Sequence, residues 1–213
     1  MAREVGISKI KLFPLITDEV GKPVEYDKDN AFYLPWAVNL ETETEFSEGS
    51  YYADNKIENS IRKVSSMNIT LEVSSDTPPE LDAKITGRLH IGAKSSTTAD
   101  TMGTEFALAY EIAMDDDTVR KRILYKVKLA RTGQTNATQE DSIEGQTYTY
   151  EGTALPLVGE GGEGAFDMIM DEKEVNNYVA PPAGVPEDVV QNQFVNFFVE
   201  PILPTREDEV QVP

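Results

Sequence analysis

Residues 104–130, TEFALAYEIAMDDDTVRKRILYKVKLA, predict two β-strands joined by a tight turn. Apolar side chains recur at every second position on both sides of Asp115-Asp116-Asp117-Thr118, which has the composition of a turn. Such alternation is typical of strands with one buried face. The predicted apolar face holds Phe106, Leu108, Tyr110 and Ile112 on the first strand and Val119, Ile123, Tyr125, Val127 and Leu129 on the second. A basic row backs the second strand and consists of Arg120, Arg122, Lys126 and Lys128.

The tight turn also predicts the register of this hairpin. Glu105 is expected opposite Lys128, and Glu111 opposite Arg122, while apolar residues meet apolar residues on the other face. A slip of one residue would place apolar positions opposite charged ones. Each matched cross-strand pair contributes about 0.2–1 kcal/mol, so the pairs select a register more than they add stability.

The rest of the chain is also mainly β by its sequence pattern. Further strands are predicted at 7–16, 32–40, 43–53, 61–73 and 142–157. One short helix is predicted at about 78–86, because Thr77-Pro78-Pro79-Glu80 fits a capping box with Thr77 as the N-cap. Gly87 then provides the left-handed exit. We therefore expect a mainly β domain over residues 1–158 with one short helix.

Residues 159–213 form a second region with a different composition. They hold 12 acidic and 2 basic residues and are rich in glycine and proline. The run Gly159–Gly164 predicts a flexible joint. Apolar runs at 166–170 and 194–199 predict that this acidic C-terminal arm docks onto the rest of the chain.

Charge and composition limit the classes of function. The 213 residues include 38 acidic and 19 basic side chains, a net charge of −19, which disfavours stable binding to nucleic acid or anionic lipid. The chain has no cysteine, so disulfides, thiolate metal sites and cysteine nucleophiles are excluded. Its apolar runs are too short for a membrane span, and its charged start lacks a signal-peptide pattern. We expect a protein made in a reducing cytosol without a membrane partner.

Few residues offer catalytic or metal chemistry. His90 is the one histidine, and a structural role is expected for it. Asp115-Asp116-Asp117 lacks the spaced ligands of a calcium loop. Gly159–Gly164 is not followed by the lysine and hydroxyl of a phosphate-binding loop. The sequence therefore predicts no enzyme, no cofactor and no metal.

Residues 41–56, ETETEFSEGSYYADNK, have the composition of a long exposed hairpin that a small core cannot bury. The candidates for contacts between copies of the chain are Glu43, Glu45, Phe46, Glu48, Tyr51 and Tyr52, with Gly49-Ser50 as the predicted turn. The competing interpretation is an ordinary solvated hairpin. From the basic row, Arg120 and Lys126 could pair with carboxylates of a neighbouring copy, or the row could be a solvated or cross-paired strand face.

Two local stretches carry a resemblance to a known family. They are YYADNK at 51–56 and ITLEVSSDTPPEL at 69–81, followed by the acidic and basic strands of the hairpin and then residues 140–152. In these strings and in the order of elements, residues 1–158 are similar to the major tail proteins of siphophages, the bacteriophages with long non-contractile tails. Residues 159–213 do not share this resemblance.

The resemblance implies a β-sandwich whose inner sheet joins those of neighbouring copies into one multi-subunit β-barrel. Rings, expected to be hexameric, would stack into a tail tube with an acidic lumen that conducts the genome. The partners implied are further copies, a tape measure, a tail terminator and a baseplate, with double-stranded DNA passing without specific binding. The protein would assemble in the host bacterial cytoplasm and reside in the virion tail. Residues 41–56 would be the ring-stacking loop.

Two other functions stay open on the sequence. A β-sandwich module could bind carbohydrate or a host surface through a platform of Tyr33, Trp36, Tyr51 and Tyr52. A hydrolase using His90 is the third hypothesis.

Overall fold

A computed structural model describes residues 3–53, 56–134, 147–180 and 185–204 of the chain. These residues form eleven strands and three helices. The strands are β1 (Glu4–Thr17), β2 (Glu25–Tyr26), β3 (Phe32–Leu34), β4 (Ala37–Ala53), β5 (Lys56–Ser74), β6 (Leu89–Ile91), β7 (Lys94–Ser96), β8 (Glu105–Met114), β9 (Val119–Gln134), β10 (Thr147–Leu155) and β11 (Asp167–Asp171). The helices are α1 (Pro79–Thr86), α2 (Glu172–Asn177) and α3 (Glu187–Asn196). The mainly β prediction is confirmed.

Nine of the strands form one antiparallel sheet. Its order is β2-β1-β8-β9-β10-β5-β4, with β3 added to β1 and β11 added to β9. The strands β6 and β7 make a separate small hairpin. The large sheet does not close into a barrel within one chain, so among the described strands β4 ends the sheet on one side and β2 and β3 end it on the other.

The central hairpin β8–β9 has the predicted register at only one end. Glu105 lies opposite Lys128 as predicted, but Glu111 lies opposite Lys121, so the predicted pairing of Glu111 with Arg122 is wrong. An irregularity between Phe106 and Leu108 gives β9 one residue more than β8, which is a β-bulge. Side chains alternate along a strand, so the extra residue shifts this alternation by one. Odd-numbered residues of β9 therefore face one side of the sheet before the bulge and the other side after it.

Both faces of the sheet are buried where β1, β8 and β9 lie together. The inner core, enclosed by the curled sheet and α1, is built from Ile10, Leu12, Leu34, Ile69, Leu71, Ile85, Phe106, Leu108, Tyr110, Leu124, Val127, Leu129 and Tyr150, among others. The outer core on the opposite face contains Phe13, Val24, Tyr26, Ala107, Ala109, Ile123, Tyr125, Leu157 and Phe197. The sequence analysis assigned one apolar face to β9, whereas the bulge sends Ile123 and Tyr125 to the outer core.

Helix α1 begins one residue later than predicted and uses a different cap. Pro78 is the N-cap and no side chain caps the helix, while the Thr77 hydroxyl donates to the Ser74 carbonyl at 2.9 Å. The prediction of Thr77 as the capping residue is therefore wrong. The predicted exit is confirmed, because Gly87 has a φ of 69°. A Cβ at that position would also lie 1.9 Å from the Met102 carbonyl oxygen, so only glycine fits there.

The C-terminal region packs against the sheet and contains elements that the sequence analysis did not predict. Gly159–Gly164, predicted as a flexible joint, forms hydrogen-bonded turns and bonds Lys22 and Val24 through Glu160. Strand β11 then joins the sheet beside β9, and α2 and α3 follow, so the prediction of a single helix is wrong. The predicted docking is confirmed by Phe197, which is fully buried in the outer core. None of the described helices has the length and apolarity that crossing a membrane requires.

Candidate assembly surfaces

The hairpin of β4 and β5 extends well beyond the sheet. These strands pair as far as Ala53 opposite Lys56, but β10 accompanies β5 only between Met67 and Ser74. Residues 45–53 and 56–66 therefore project as a two-stranded arm, which we call the hairpin arm, roughly 30 Å long. No described strand pairs with either edge of this arm. A free two-stranded ribbon is marginally stable in water, so the arm is a segment that would gain order from a neighbour.

The predicted turn at Gly49-Ser50 is wrong. Both residues lie inside β4, opposite Ile61 and Ser60. The chain reverses between Ala53 and Lys56, and the two residues between them lie outside the described part of the chain. The arm is therefore longer than the predicted hairpin of residues 41–56.

The base of the hairpin arm presents apolar side chains to solvent. Phe46 is 45% exposed and lies opposite Val64, which is 38% exposed. The Arg62 guanidinium covers the Phe46 ring at 3.9 Å and pairs with Glu48 at 3.2 Å. Because exposed ion pairs contribute little, this arrangement holds the side chains in place without burying them. Tyr51 and Tyr52 lie farther along β4, and their side chains fall outside the description.

One open face of the sheet concentrates carboxylates. Residues that pair across an antiparallel ladder share a face, so the outward side chains of five strands can be read from the register. This acidic face comprises Asn39, Glu41, Glu43 and Glu45 on β4, Asn68, Thr70 and Glu72 on β5, Thr149, Glu151 and Thr153 on β10, Lys128 and Ala130 on β9, and Glu105 on β8. It lies beside the part of the same face that the C-terminal region covers.

The charges on the acidic face are poorly neutralised. It carries six carboxylates and one ammonium, Lys128, which contacts Glu105 at 3.5 Å. Among the described residues, Glu41 and Glu43 form no ion pair, and the Glu45 carboxylate accepts only an amide hydrogen bond from Asn68, at 2.7 Å. Alternate residues of a strand lie about 7 Å apart, which is within the ~8 Å Debye length at physiological salt. Their negative fields therefore add.

The basic row pairs with acids of the same chain. Arg120 contacts Glu4 at 2.8 Å and Asp171 at 2.9 Å, and Arg122 contacts Asp167 at 2.7 Å. The hydrogen bonds that the Arg120 guanidinium donates to Asp171 and Glu4 raise the pKa of Arg120 above its ordinary value. The hypothesis that Arg120 pairs with another copy is thus not needed, because its guanidinium already has two carboxylate partners.

Lys126 also finds its partner within the chain. Its ammonium contacts Asp18 at 2.6 Å, and the Asp18 carboxylate is only 2% exposed. Asp18 also accepts hydrogen bonds from the backbone N–H groups of Val158 and Gly159, each at 2.8 Å. Burial alone would raise the pKa of Asp18, but Lys126 and these two donors outweigh it and hold the pKa below its ordinary value. This contact ties the start of the C-terminal region to the loop after β1.

His90 has a local structural role in the described chain. Its Nδ1 lies 2.7 Å from the Ser95 hydroxyl, its neighbour across the small β6–β7 hairpin. The Ser95 hydroxyl is exposed and lies 3.4 Å from the Pro79 carbonyl, to which it donates. Among the described residues no carboxylate bonds the other ring nitrogen, so a third group that would orient a catalytic histidine is missing there. Nor do the described residues bring together three metal-ligating side chains.

The four aromatic residues proposed as a binding platform do not converge. Tyr33 and Trp36 lie at the β3–β4 connection, where Trp36 adopts a φ of 66°. Tyr51 and Tyr52 are some fifteen residues farther along the extended β4, which places them roughly 50 Å away. One ligand of ordinary size cannot reach both pairs.

The described chain thus presents a curled antiparallel sheet with an open acidic face and a projecting arm. No protein-family profile and no curated protein matches the sequence. Similar solved structures include the tube-terminating cap of the anti-feeding prophage, 12% identical, with a TM-score of 0.38 over 65% of this chain and 82% of that one. A chain of the anti-feeding prophage baseplate is 10% identical, with a TM-score of 0.42 over 79% of this chain and 95% of that one. A chain of the extended sheath–tube complex of an extracellular contractile injection system, PVC, is 12% identical, with a TM-score of 0.40 over 76% and 88%.

Proposed function

We propose that this chain is a structural subunit of a tail tube of the phage type, and that it assembles with further copies into stacked rings. The observation that supports this most strongly is the acidic face. Its carboxylates lie on adjacent strands of one open sheet, which is a geometry suited to lining a bore. Stacked rings also need contacts between subunits of successive rings. The projecting hairpin arm could provide them, because it extends beyond the rest of the subunit.

The acidic face would let DNA pass without being held. Each phosphate that a protein neutralises releases counterions and adds affinity, so a basic bore would bind the genome. Carboxylates repel phosphate over about 8 Å at physiological salt, which keeps a duplex centred and mobile.

Four strands, β9, β10, β5 and β4, carry most of the acidic face. Six copies would align about 24 strands at ~4.8 Å spacing, a barrel at least ~37 Å wide, which admits duplex DNA.

The hairpin arm would join successive rings. Its unpaired edges and the exposed Phe46–Val64 pair are features that a neighbouring subunit can cover. Glu43, Glu45, Glu48, Tyr51 and Tyr52 extend along the same hairpin and complete the proposed contact region. The function is non-covalent and requires no cofactor or catalysis.

The setting of this function is a virion tail assembled in the host bacterial cytoplasm. A tape measure, a tail terminator and a baseplate would be the other tail partners. Double-stranded DNA would be a transient passenger that is not bound specifically.

Negative-stain electron microscopy of the concentrated protein tests the assembly. Rings or tubes with an axial bore are expected, and particles that stay single at every concentration would contradict the proposal.

The charge of the bore is tested by comparing two double variants with the same change in net charge. Glu72→Lys with Glu151→Lys should make assembled tubes retain duplex DNA at low salt. Glu25→Lys with Glu174→Lys, at exposed positions off the acidic face, should not. Equal retention by both variants would show that the acidic face does not line the bore.

A further inference from the structure

Trp36 has a backbone conformation that its residue type disfavours. It is the third residue of the turn Leu34-Pro35-Trp36-Ala37 and has a φ of 66°. Glycine or asparagine normally occupies such a left-handed position in a turn, because a bulky side chain is strained there. The turn is held in place, since the Ser74 backbone N–H donates to the Trp36 carbonyl at 2.9 Å. The chain thus carries a tryptophan where a smaller residue would cost less free energy.

A second strained residue lies beside Trp36. Lys9 has a φ of 49° at the irregularity in β1 between Ser8 and Lys11. Lys9 and Trp36 line the same groove, of ≈ 190 Å³, between β1 and the turn from β3 to β4. Of the described residues other than glycine, only Asp117 shares the left-handed conformation, and aspartate tolerates it. Backbone strain concentrates at functional sites, so this groove, which we call the Trp36 groove, is a candidate contact site.

The Trp36 side chain stays partly in water. Ile10 and Leu34 line the groove as buried residues of the inner core, whereas Trp36 is 44% exposed. Among the described residues, none accepts a hydrogen bond from the Trp36 indole N–H. A partly exposed tryptophan with an available donor is typical of the residue that anchors a protein interface. A contact outside the subunit would therefore bury the indole and offset the strain.

The charge of the groove favours another copy of this chain as the partner. Copies with a net charge of −19 repel one another, so contacts between them should form where carboxylates are sparse. The residues that line the Trp36 groove include Lys9 and no carboxylate. The Lys9 ammonium is well exposed, although it contacts Glu111, whose carboxylate is almost buried.

The Trp36 groove and the hairpin arm lie at opposite ends of one strand. Trp36 directly precedes β4, and Phe46 at the base of the arm is ten residues farther along, roughly 33 Å away in an extended strand. The ladder with β5 keeps this stretch extended, so the arm cannot fold back onto the groove of its own chain. Between two copies, an arm-to-groove contact is head-to-tail. It leaves one arm and one groove free and therefore repeats along a stack.

The hairpin arm presents side chains that complement the groove. Phe46 and Val64 form an exposed apolar pair at its base. Phe46 and Glu48 share a face of β4, because they alternate along the strand. Phe46 could pack on the Trp36 indole while the exposed Glu48 carboxylate meets the Lys9 ammonium.

We infer that the Trp36 groove receives the hairpin arm of a second copy in the adjacent ring, with Trp36 as the anchor. This inference rests on the proposed function, which it deepens by naming the surface that the arm contacts. The occupant of the groove is residues 45–48 and 62–66 of another copy.

Intrinsic fluorescence tests this contact in the unmodified protein, because Trp36 is the single tryptophan. Emission is compared between dilute single subunits and stacked rings at high concentration. On stacking, the emission maximum should shift to shorter wavelength and quenching by acrylamide should decrease. Unchanged emission and quenching in stacked rings would show that Trp36 stays exposed and would overturn the inference.

A nitroxide on the arm tests whether the arm is what covers Trp36. The chain has no cysteine, so Ser47→Cys can be labelled selectively, and Ser47 is exposed beside Phe46 without sharing its face. A nitroxide quenches tryptophan only at short range, whereas Ser47 and Trp36 of one chain are roughly 36 Å apart. Labelled protein mixed with unmodified protein should therefore quench Trp36 only after stacking. Glu174→Cys, labelled at an exposed position off the arm, is the control and should not quench.

Trp36→Gly separates the contact from the stability of the subunit. Glycine suits the left-handed position, so the dilute subunit should remain folded and melt above Trp36→Ala, which keeps the strain. Both variants should need at least about tenfold more protein to form stacked rings, as expected for loss of an interface anchor. Met102→Ala, which removes an exposed apolar side chain elsewhere, should stack as the unmodified protein does.

The outcomes separate this inference from the proposed function. A blue shift on stacking, with quenching from Ser47 and not from Glu174, supports the arm-to-groove contact. Stacked rings without quenching from Ser47, or with unchanged stacking of Trp36→Gly, would overturn the contact and leave the tube function standing. Particles that remain single at every concentration would overturn both.

Discussion

Replacing Asp18 by alanine should destabilise the protein, because it removes the contact that ties the loop after β1 to the start of the C-terminal region. The Asp18 carboxylate is 2% exposed and serves three donors, Lys126 and the backbone N–H groups of Val158 and Gly159. Alanine would leave all three without this acceptor. A donor that loses its partner costs about 1–3 kcal/mol, with the lower end applying to groups that water can reach.

The magnitude can be built up from these contacts. The Val158 donor is exposed and the Gly159 donor is partly buried, so together they account for about 1–2 kcal/mol. Lys126 is 19% exposed, which places the loss of its partner at about 1–2 kcal/mol, below the cost in a fully buried pair. The free energy of unfolding should fall by about 3 kcal/mol in total. The ratio of folded to unfolded protein would then decrease roughly a hundredfold.

Urea unfolding of dilute protein, followed by circular dichroism and by the fluorescence of the single tryptophan, Trp36, measures this change. Asp100→Ala is the matched control, because Asp100 is exposed and should shift stability by no more than about 0.5 kcal/mol. A double-mutant cycle with Asp18→Asn and Lys126→Met isolates the charge pair, for which we expect a coupling of about 1 kcal/mol. A loss below 1 kcal/mol for Asp18→Ala, or no coupling, would refute this reasoning.

The same contact has a defined pH dependence. The folded-state pKa of Asp18 lies below its ordinary value of 3.8, so its contribution is complete above that pH. The contribution is lost as the pH falls through the lower folded-state pKa. The difference in stability between the unmodified protein and Asp18→Asn should therefore be constant near neutral pH and shrink below about pH 4. A difference that grows on acidification would contradict the assignment.

Three further substitutions test separate features. Gly152→Ala should strongly destabilise the protein or make it insoluble, because the added Cβ would lie 1.9 Å from a carbonyl oxygen of β9. Gly133→Ala is the control and should be tolerated, because its added Cβ would have no atom within 4 Å. Equal soluble yields and melting temperatures of the two variants would contradict this. Lys121→Met keeps the apolar stem but removes the hydrogen bond to the Phe194 carbonyl. We expect the free energy of unfolding to fall by about 1–2 kcal/mol and proteolysis of the C-terminal region to become faster. Unchanged proteolysis would argue against this contact. His90→Ala should leave assembly unchanged in electron microscopy, and failure to form rings would show that His90 has a role beyond its hairpin.

Much of the sheet could be predicted from alternation, and the central hairpin shows why the prediction stopped short. Pairing Glu105 with Lys128 needed only charge and polarity. The bulge in β9 was missed because the prediction allowed each strand a single apolar face. The consecutive apolar residues Ile123-Leu124-Tyr125 were the available signal, since a strand with one buried face does not need three in a row.

The helices of the C-terminal region were missed although local signals existed. Asp171 caps α2 by accepting a hydrogen bond from the Lys173 backbone, and α3 follows Pro186 with two acids in its first turn. Neither helix has a strong apolar stripe, and α3 has no buried residue, so the apolar pattern alone does not reveal them.

The acidic face could be predicted only in part. Glu41, Glu43 and Glu45 alternate along one strand, so their common face follows from sequence. That Glu72 and Glu151 lie beside them depends on β10 lying between β9 and β5, which is a long-range pairing. No local pattern specifies the order of strands that are distant in sequence.

The position of the outer core in the chain has a consequence for synthesis. Phe197 and its neighbours, which cover Ile123 and Tyr125, are translated after all the described strands of the sheet. Until they emerge, a nascent chain whose sheet has already folded carries an uncovered apolar surface. Crowded nascent chains are prone to aggregate through such surfaces. Once made, Phe197 and its neighbours would cover this surface, so that the strand edges and the hairpin arm remain as the parts open to association.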